Sequence, residues 1–323
     1  MKIFSLTFLL LLLSSTLGWA TEIREADYYK LKMIELVKEI KKTAVLQQPN
    51  FELVLNGGIN IYVADSYVQN GETIVRDFLY SVDGVLLEGL NFGYEFRDDK
   101  KTNEKVRKNI LAKLALPRQA GVPILNIDYC DELRNRSMAT LLARKDNIIN
   151  FSSDRGLESV PATLLSNKEV SSIQDISNFL AVFNPQRYST KMQYLKALQK
   201  SNYDLLIIDA YYQGELLTAE DIASLKVKPN GKRRLVYSYL SVGEAEDYRY
   251  YWQSEYKKNP PPWLAAANEK WKGNYKVQYW HEEWKHILYE GEASYLQKIL
   301  SAGFDGAFLD VIDSFYYFEA LSA

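Results

Sequence analysis

The chain has 323 residues, 47% of them hydrophobic, which is ample for a buried core in one large domain or two ordinary ones. Its 39 basic and 41 acidic residues leave a net charge of −2, which gives no basis for binding nucleic acid or an anionic membrane. One cysteine, Cys130, excludes an intramolecular disulfide, and with only His281 and His286 besides, neither a metal centre nor any other cofactor is expected. The aromatic residues (24 Tyr, 13 Phe and 6 Trp) crowd into the second half.

Residues 1–20 read as a signal peptide: Lys2, an apolar run from Ile3 to Leu13, then Gly18 and Ala20 where a peptidase wants small side chains. Cleavage before Thr21 removes Lys2 and takes the charge from −2 to −3. The expected product is a secreted or periplasmic monomer without stable membrane insertion, since no later segment reaches the length of a membrane span. Hydrophobic spacing then predicts a helix over 28–43, strands over 51–55 and 82–87, a helix over 103–120 and a strand over 122–127. A segment over 154–175, rich in Ser, Glu and Asn, follows. Strands are next expected over 179–183, 203–208 and 234–240, separated by helices over 189–201 and 218–226. Proline and glycine mark much of 253–274 as loop, before a strand over 275–280, a helix over 284–302 and a strand over 304–309. Eight near-continuous apolar strands alternating with helices fit an α/β fold of the (β/α)8 TIM-barrel type. No glycine-rich phosphate loop follows any strand, which weakens a nucleotide-binding alternative.

Acids stand where these strands end: Glu88, Asp128, Asp209 and Asp310 directly, and Glu244 after Ser241-Val242-Gly243. A single such acid is usually a helix N-cap. Five converging on the C-terminal rim of a barrel, where they would raise one another's pKa, read as a site. Asp83-Gly84-Val85-Leu86-Leu87-Glu88 also matches Asp305-Gly306-Ala307-Phe308-Leu309-Asp310 in spacing. Each copy delivers one carboxylate to the same rim, as two-carboxylate hydrolysis of a glycosidic bond requires. Sugar rings stack on Trp and Tyr, so part of the aromatic excess suits a saccharide cleft while the rest packs the long loop onto the barrel.

The run Leu240-Ser241-Val242-Gly243-Glu244-Ala245-Glu246-Asp247-Tyr248-Arg249-Tyr250-Tyr251-Trp252 resembles a signature of glycoside hydrolase family 114, the endo-α-1,4-polygalactosaminidases and their relatives. Trp271-Lys272-Gly273-Asn274-Tyr275-Lys276-Val277-Gln278-Tyr279-Trp280 and Gly303-Phe304-Asp305-Gly306-Ala307-Phe308-Leu309-Asp310-Val311-Ile312-Asp313 resemble two further segments of that family. Pieces that would follow these in the family resemble the front of the chain instead: Met33 to Ile40, Phe51 to Gly57, Val82 to Glu88 and Pro123 to Tyr129. The resemblance therefore implies a circular permutant of one domain over 21–323. Strands six to eight lie in 21–153, a joining segment in 154–175, and strands one to five in 176–323. A piece of a longer barrel array is the competing arrangement. Where many relatives carry a Glu after the Asn-Gly turn, Gly57-Gly58-Ile59-Asn60 has none.

The resemblance places the catalytic pair on Asp310 and Glu88, cleaving internal α-1,4 linkages of a galactosamine-type polysaccharide. Glu88 is expected as the acid, its pKa raised by neighbouring acids, and Asp310 as nucleophile or stabilising carboxylate. Asp209, Glu244, Asp247, Tyr248, Asn274, Tyr279 and Asp313 are the expected saccharide contacts, and Asp128 is expected either among them or as a support behind them. A carbohydrate-binding barrel without catalysis is the alternative from another class.

Overall fold

A computed structural model describes residues 7–161 and 166–322, with side chains described from Asp27 onward. The start of the expected signal segment, 1–6, lies outside the described residues, and the remainder is described by backbone alone, within helix α1 (Thr7–Gln47). No described helix is long and apolar enough to cross a membrane. From Met33 onward α1 buries Met33, Leu36, Val37, Ile40 and Ala44, a three-and-four spacing that puts them on one face toward the barrel.

Eight parallel strands form the barrel: β1 (Glu52–Asn56), β2 (Gly84–Glu88), β3 (Ile124–Tyr129), β4 (Ile149–Ser153), β5 (Phe179–Val182), β6 (Leu205–Ile208), β7 (Leu235–Ser241) and β8 (Gly306–Asp310). Their hydrogen-bonded order is β4-β3-β2-β1-β8-β7-β6-β5. Chain order and ring order thus agree, with β8 beside β1 in register Glu52↔Gly306 through Leu55↔Leu309. The ring closes between β4 and β5, where no ladder forms and the Phe151 and Phe179 rings meet at 5.8 Å between centroids. Val, Leu, Ile and Phe dominate these strands because helices cover them outside and side-chain layers fill them inside.

Two expectations are corrected. Residues 275–280 supply no barrel strand: Asn274–Val277 is the middle strand of a small antiparallel sheet, between Glu244–Glu246 and Leu264–Ala267. The eighth barrel strand is β4, so four strands precede the joining segment and four follow it, rather than three and five. Its sequence, Ile149-Asn150-Phe151-Ser152-Ser153, hides a strand behind three polar residues. Asn126 Nδ2 bonds Asn150 Oδ1 at 2.7 Å, and Asn150 Nδ2 bonds Ser152, so polar side chains at this position are satisfied inside the barrel wall.

The helix expected over 28–43 is longer, lying within α1, and the other predicted helices hold with shortened or broken ends. The helix expected over 103–120 divides into two, Glu104–Ala112 and Ala115–Gln119, because Pro117 lacks an N–H and its ring would strike the carbonyl of Lys113. The one expected over 284–302 breaks around Gly291, before the helix Tyr295–Ser301 starts on a Ser294 cap. Helices at Gly71–Leu79, Leu133–Lys145 and Ser314–Ser322 complete the outer layer.

The joining segment carries no α-helix among its described residues and crosses the N-terminal end of the barrel. Ser172 Oγ and the Ile173 N–H donate to Glu52 at 2.9 and 3.0 Å, and the Ser177 N–H donates to Asp204 at 2.8 Å. Ile173 is buried there, and a Cβ on Gly84 would lie 2.8 Å from its Cδ1. Gly306 is equally confined, with the Glu52 carbonyl 2.4 Å from where its Cβ would be. Close approach, beyond any turn preference, thus requires both Asp-Gly glycines.

Candidate active site

The C-terminal ends of the strands open into a cavity of about 850 Å³ that bears Glu88, Asp310, Asp313 and Asp209, with the small sheet as one wall. Glu88 closes β2 and Asp310 closes β8, with Asn56 at the end of β1 between them. The Asn56 amide donates to Glu88 Oε1 at 2.7 Å and to Asp310 Oδ1 at 2.8 Å. Those two oxygens can therefore be no farther apart than the sum of the two bonds, 5.5 Å. The Tyr129 hydroxyl, at the end of β3, donates to Glu88 Oε2 at 2.7 Å, so each oxygen of Glu88 accepts a bond. Asp310 receives a second bond on the same Oδ1, from the Val311 N–H at 2.8 Å.

Burial pushes the Asp310 carboxyl up to about 7, with the charge of Glu88 adding to the shift and the Asn56 and Val311 donors opposing it. A raised pKa thus falls on Asp310, where the sequence reading expected the nucleophile or stabilising carboxylate. Strand ends alone do not tell which of two acids sits deeper. Val311, immediately after, takes φ 63, an unusual backbone for a β-branched residue and a cost of roughly 1–3 kcal/mol. That turn takes the chain out of β8 and onto the short path from Asp310 to Asp313.

Asp313 lies against Gly57 at the cavity surface; burial raises its carboxyl pKa, and Lys276 partly counters this. Glu244 is buried and held by Lys276 Nζ and Asn268 Nδ2, both at 2.7 Å, and by Asn274 Nδ2 at 3.1 Å. Asp209 and Glu246 share Arg249, at 2.8 and 2.5 Å. Burial works against the charge on Arg249, but Glu246 and Asp209 outweigh it and hold the guanidinium protonated. Tyr248 donates to Glu246 at 2.7 Å and leaves 60% of its surface open to the cavity.

Of the expected site residues, Asp310, Glu88, Asp209, Glu244, Tyr248, Asn274 and Asp313 line this cavity, and three do not. Asp128 is fully buried and accepts from the Asn91 and Phe92 N–H groups and the Asn91 amide, fastening the loop after β2. Asp247 pairs with Lys257 at 2.7 Å beside the small sheet. Tyr279 is buried under Trp280 and Phe318 and donates to the Tyr29 carbonyl at 2.8 Å, because the strand ends at Val277 and the chain turns into the core. Sequence reasoning missed Asn56, Tyr129 and Arg155. The signal for Asn56 was the Asn-Gly pair, read only as a turn, and Tyr129 was one residue beyond the acid chosen. Arg155 lies 3.9 Å over the Tyr129 ring and donates to Asp98 and the Gly93 carbonyl, which clamps one side of the cavity.

With the geometry in place, the comparisons are specific. Residues 177–322 match the family model of glycoside-hydrolase family GH114. That stretch, a little under half of the chain, is what resembles the family. An uncharacterized protein of Methanocaldococcus jannaschii is 38% identical over 174 residues, covering 49% of this chain and 48% of its own. Uncharacterized proteins of Thermotoga maritima and Deinococcus radiodurans are 46% identical over 80 residues and 33% over 121, covering 24% and 37% of their lengths. The chain thus spans about half the length of the first relative and less of the others. The GH114 half carries Asp310, Asp313, Asp209 and the small sheet, while Glu88, Asn56 and Tyr129 come from the half before it. Only both halves together make the cavity.

Proposed function

We propose that the protein is a retaining glycosidase that cleaves internal α-1,4 linkages of a galactosamine-type polysaccharide with Asp310 and Glu88. The observation that carries this reading is the bridged carboxylate pair on the cavity wall. The bridge keeps Glu88 Oε1 within 5.5 Å of Asp310 Oδ1, a close approach that favours the ~5–5.5 Å carboxyl spacing of retaining enzymes over the ~6.5–9.5 Å of inverting ones. Glu88, held in place by hydrogen bonds on both oxygens, serves as nucleophile. Asp310, raised to about 7 and with Oδ2 left for the proton, serves as acid and then base. These roles exchange the ones expected from sequence.

In the first step Asp310 gives its proton to the glycosidic oxygen as Glu88 bonds to the anomeric carbon and the leaving sugar departs. In the second, Asp310 takes a proton from water, whose oxygen displaces Glu88 and frees the sugar with its configuration retained. Glu88, Asp310 and Asp313 form no ion pair among the described residues, so this acidic cluster has no cation of its own and suits a cationic amino sugar at the scissile bond. A reducing-end assay on de-N-acetylated and acetylated α-1,4-galactosamine polymers tests the activity, and the anomer first formed, followed by NMR, tests retention. Binding without shortening of either polymer would leave a carbohydrate-binding barrel instead. Export through the 1–20 signal belongs to the same reading and is checked by N-terminal sequencing of the exported protein.

Circular permutation accompanies this function. It is supported by the start of the family match at 177, just past the joining segment, by the unbonded β4–β5 seam at that same place, and by the pairing of β8 with β1. Rejoining 21–153 after 177–322 by a short linker, with the ends opened in the joining segment, should give a folded, active barrel. Failure of that rearranged chain to fold would count against permutation.

A further inference from the structure

A second cavity, of about 480 Å³, adjoins the first and shares Asn184, Asp209, Tyr248 and Arg249 as its boundary. Its outer wall is a hairpin, Tyr211–Tyr212 against Glu215–Leu216, turned through Gln213 and Gly214 at φ 48 and 84. That tight turn holds Gln213 at the cavity, which Gln186 also lines. The two cavities differ in charge. Asp209, the carboxylate lining the second cavity, is paired with Arg249, so that cavity presents amide side chains and tyrosine rings with no unpaired carboxylate. The first presents Glu88, Asp310 and Asp313 without ion-pair partners.

Resting on the glycosidase reading, we propose that the second cavity is a remote subsite for an uncharged glycosyl unit of the same polymer. The chain would cross the exposed ring of Tyr248 between the cationic unit at the carboxylate pair and the uncharged unit at Gln186 and Gln213. Amides can both donate to and accept from hydroxyl and acetamido groups, whereas an ammonium group finds no free anion there. The preferred substrate is then a mixed polymer, with a free amine at the scissile unit and a neutral unit farther along.

Calorimetric titration of the full-length Glu88→Gln protein with α-1,4-galactosamine oligomers of increasing length, acetylated or free at the distal unit, tests this. Affinity should rise once an oligomer is long enough to reach the second cavity, and more so with the distal unit acetylated. Adding Gln186→Ala and Gln213→Asn should remove that gain, about tenfold, and leave short oligomers bound as before. Both positions are exposed, and Asn tolerates the left-handed backbone at 213, so folding is preserved. A gain that survives the double change, or that appears only with a free distal amine, overturns the proposal, as does failure of every oligomer to bind. If wild-type protein cleaves nothing while the length-dependent gain still disappears in the double variant, the glycosidase reading falls and the second subsite stands.

Discussion

The two ends of the barrel carry the same kind of side chain and treat it in opposite ways. At the N-terminal end Asp83 meets Lys41 at 2.7 Å, Asp204 meets Lys228 at 2.6 Å, and Asp305 meets Lys226 and Arg233 at 2.8 and 2.6 Å. These acids also take strand N–H groups, Leu53 on Asp83 and Val236 on Asp305, so they tie neighbouring strands together. At the C-terminal end Glu88 and Asp310 meet only neutral donors, and Asp310 is left with a pKa near 7. The repeated Asp-Gly-to-acid stretch spans both ends. Its first acid holds the fold and its last acid is left without an ion-pair partner among the described residues, the division between stability and chemistry that barrels allow.

The strongest challenge to that division is to neutralise the unpaired acids. Asp310→Asn or Glu88→Gln should each lower kcat by at least about a thousandfold while binding of the polymer stays within a few fold, measured by reducing-end release and titration. Equal losses in binding would mean that the pair only holds substrate. At the other end, Lys228→Ala strands a fully buried Asp204 and should cost about 3–5 kcal/mol in urea unfolding, with kcat of the folded fraction unchanged. An effect on kcat without one on stability would break the comparison.

Asn56→Ala, which removes the shared donor, should lower kcat by roughly tenfold to a hundredfold. It should also move the alkaline limb of the rate profile to higher pH, since the lost bond favoured the ionised form of Asp310. The wild-type profile itself decides the roles. With Asp310 as acid, kcat falls as pH rises through about 7; a rise through the same range would make it the nucleophile. Linkage gives a smaller, independent signal. The folded pKa of Asp310 lies above its unfolded value of ~3.9, so the native state binds more protons between the two and stability falls as pH rises from about 4 to about 7. Asp310→Asn should flatten that decline, leaving the variant more stable than wild type at pH 8 with the difference gone below pH 4.

Much of this was legible in the amino-acid order. Apolar runs bounded by turns located seven of the eight barrel strands, and the acids at their ends located the rim and its principal pair. The unread strand, β4, lacks the apolar continuity of the others because its Asn150 and Ser152 are satisfied by side chains of the wall. Tyr129 rather than Asp128 reaches Glu88, since successive residues of a strand face opposite ways and a one-residue choice changes the side of the sheet. Tyr279 looked like its aromatic neighbours, and only packing against Trp280 and Phe318 removed it from the cavity.

Local pattern, then, determined the barrel class, the acidic rim and the family resemblance, because periodicity and short motifs are properties of neighbouring residues. Tertiary structure alone decided that Asn56 binds two acids 254 and 32 residues away along the chain, that Asp310 has a raised pKa, and which aromatics meet the cleft. Burial and the reach of a charge depend on what packs around a group in space, and spacing along the chain does not carry that information.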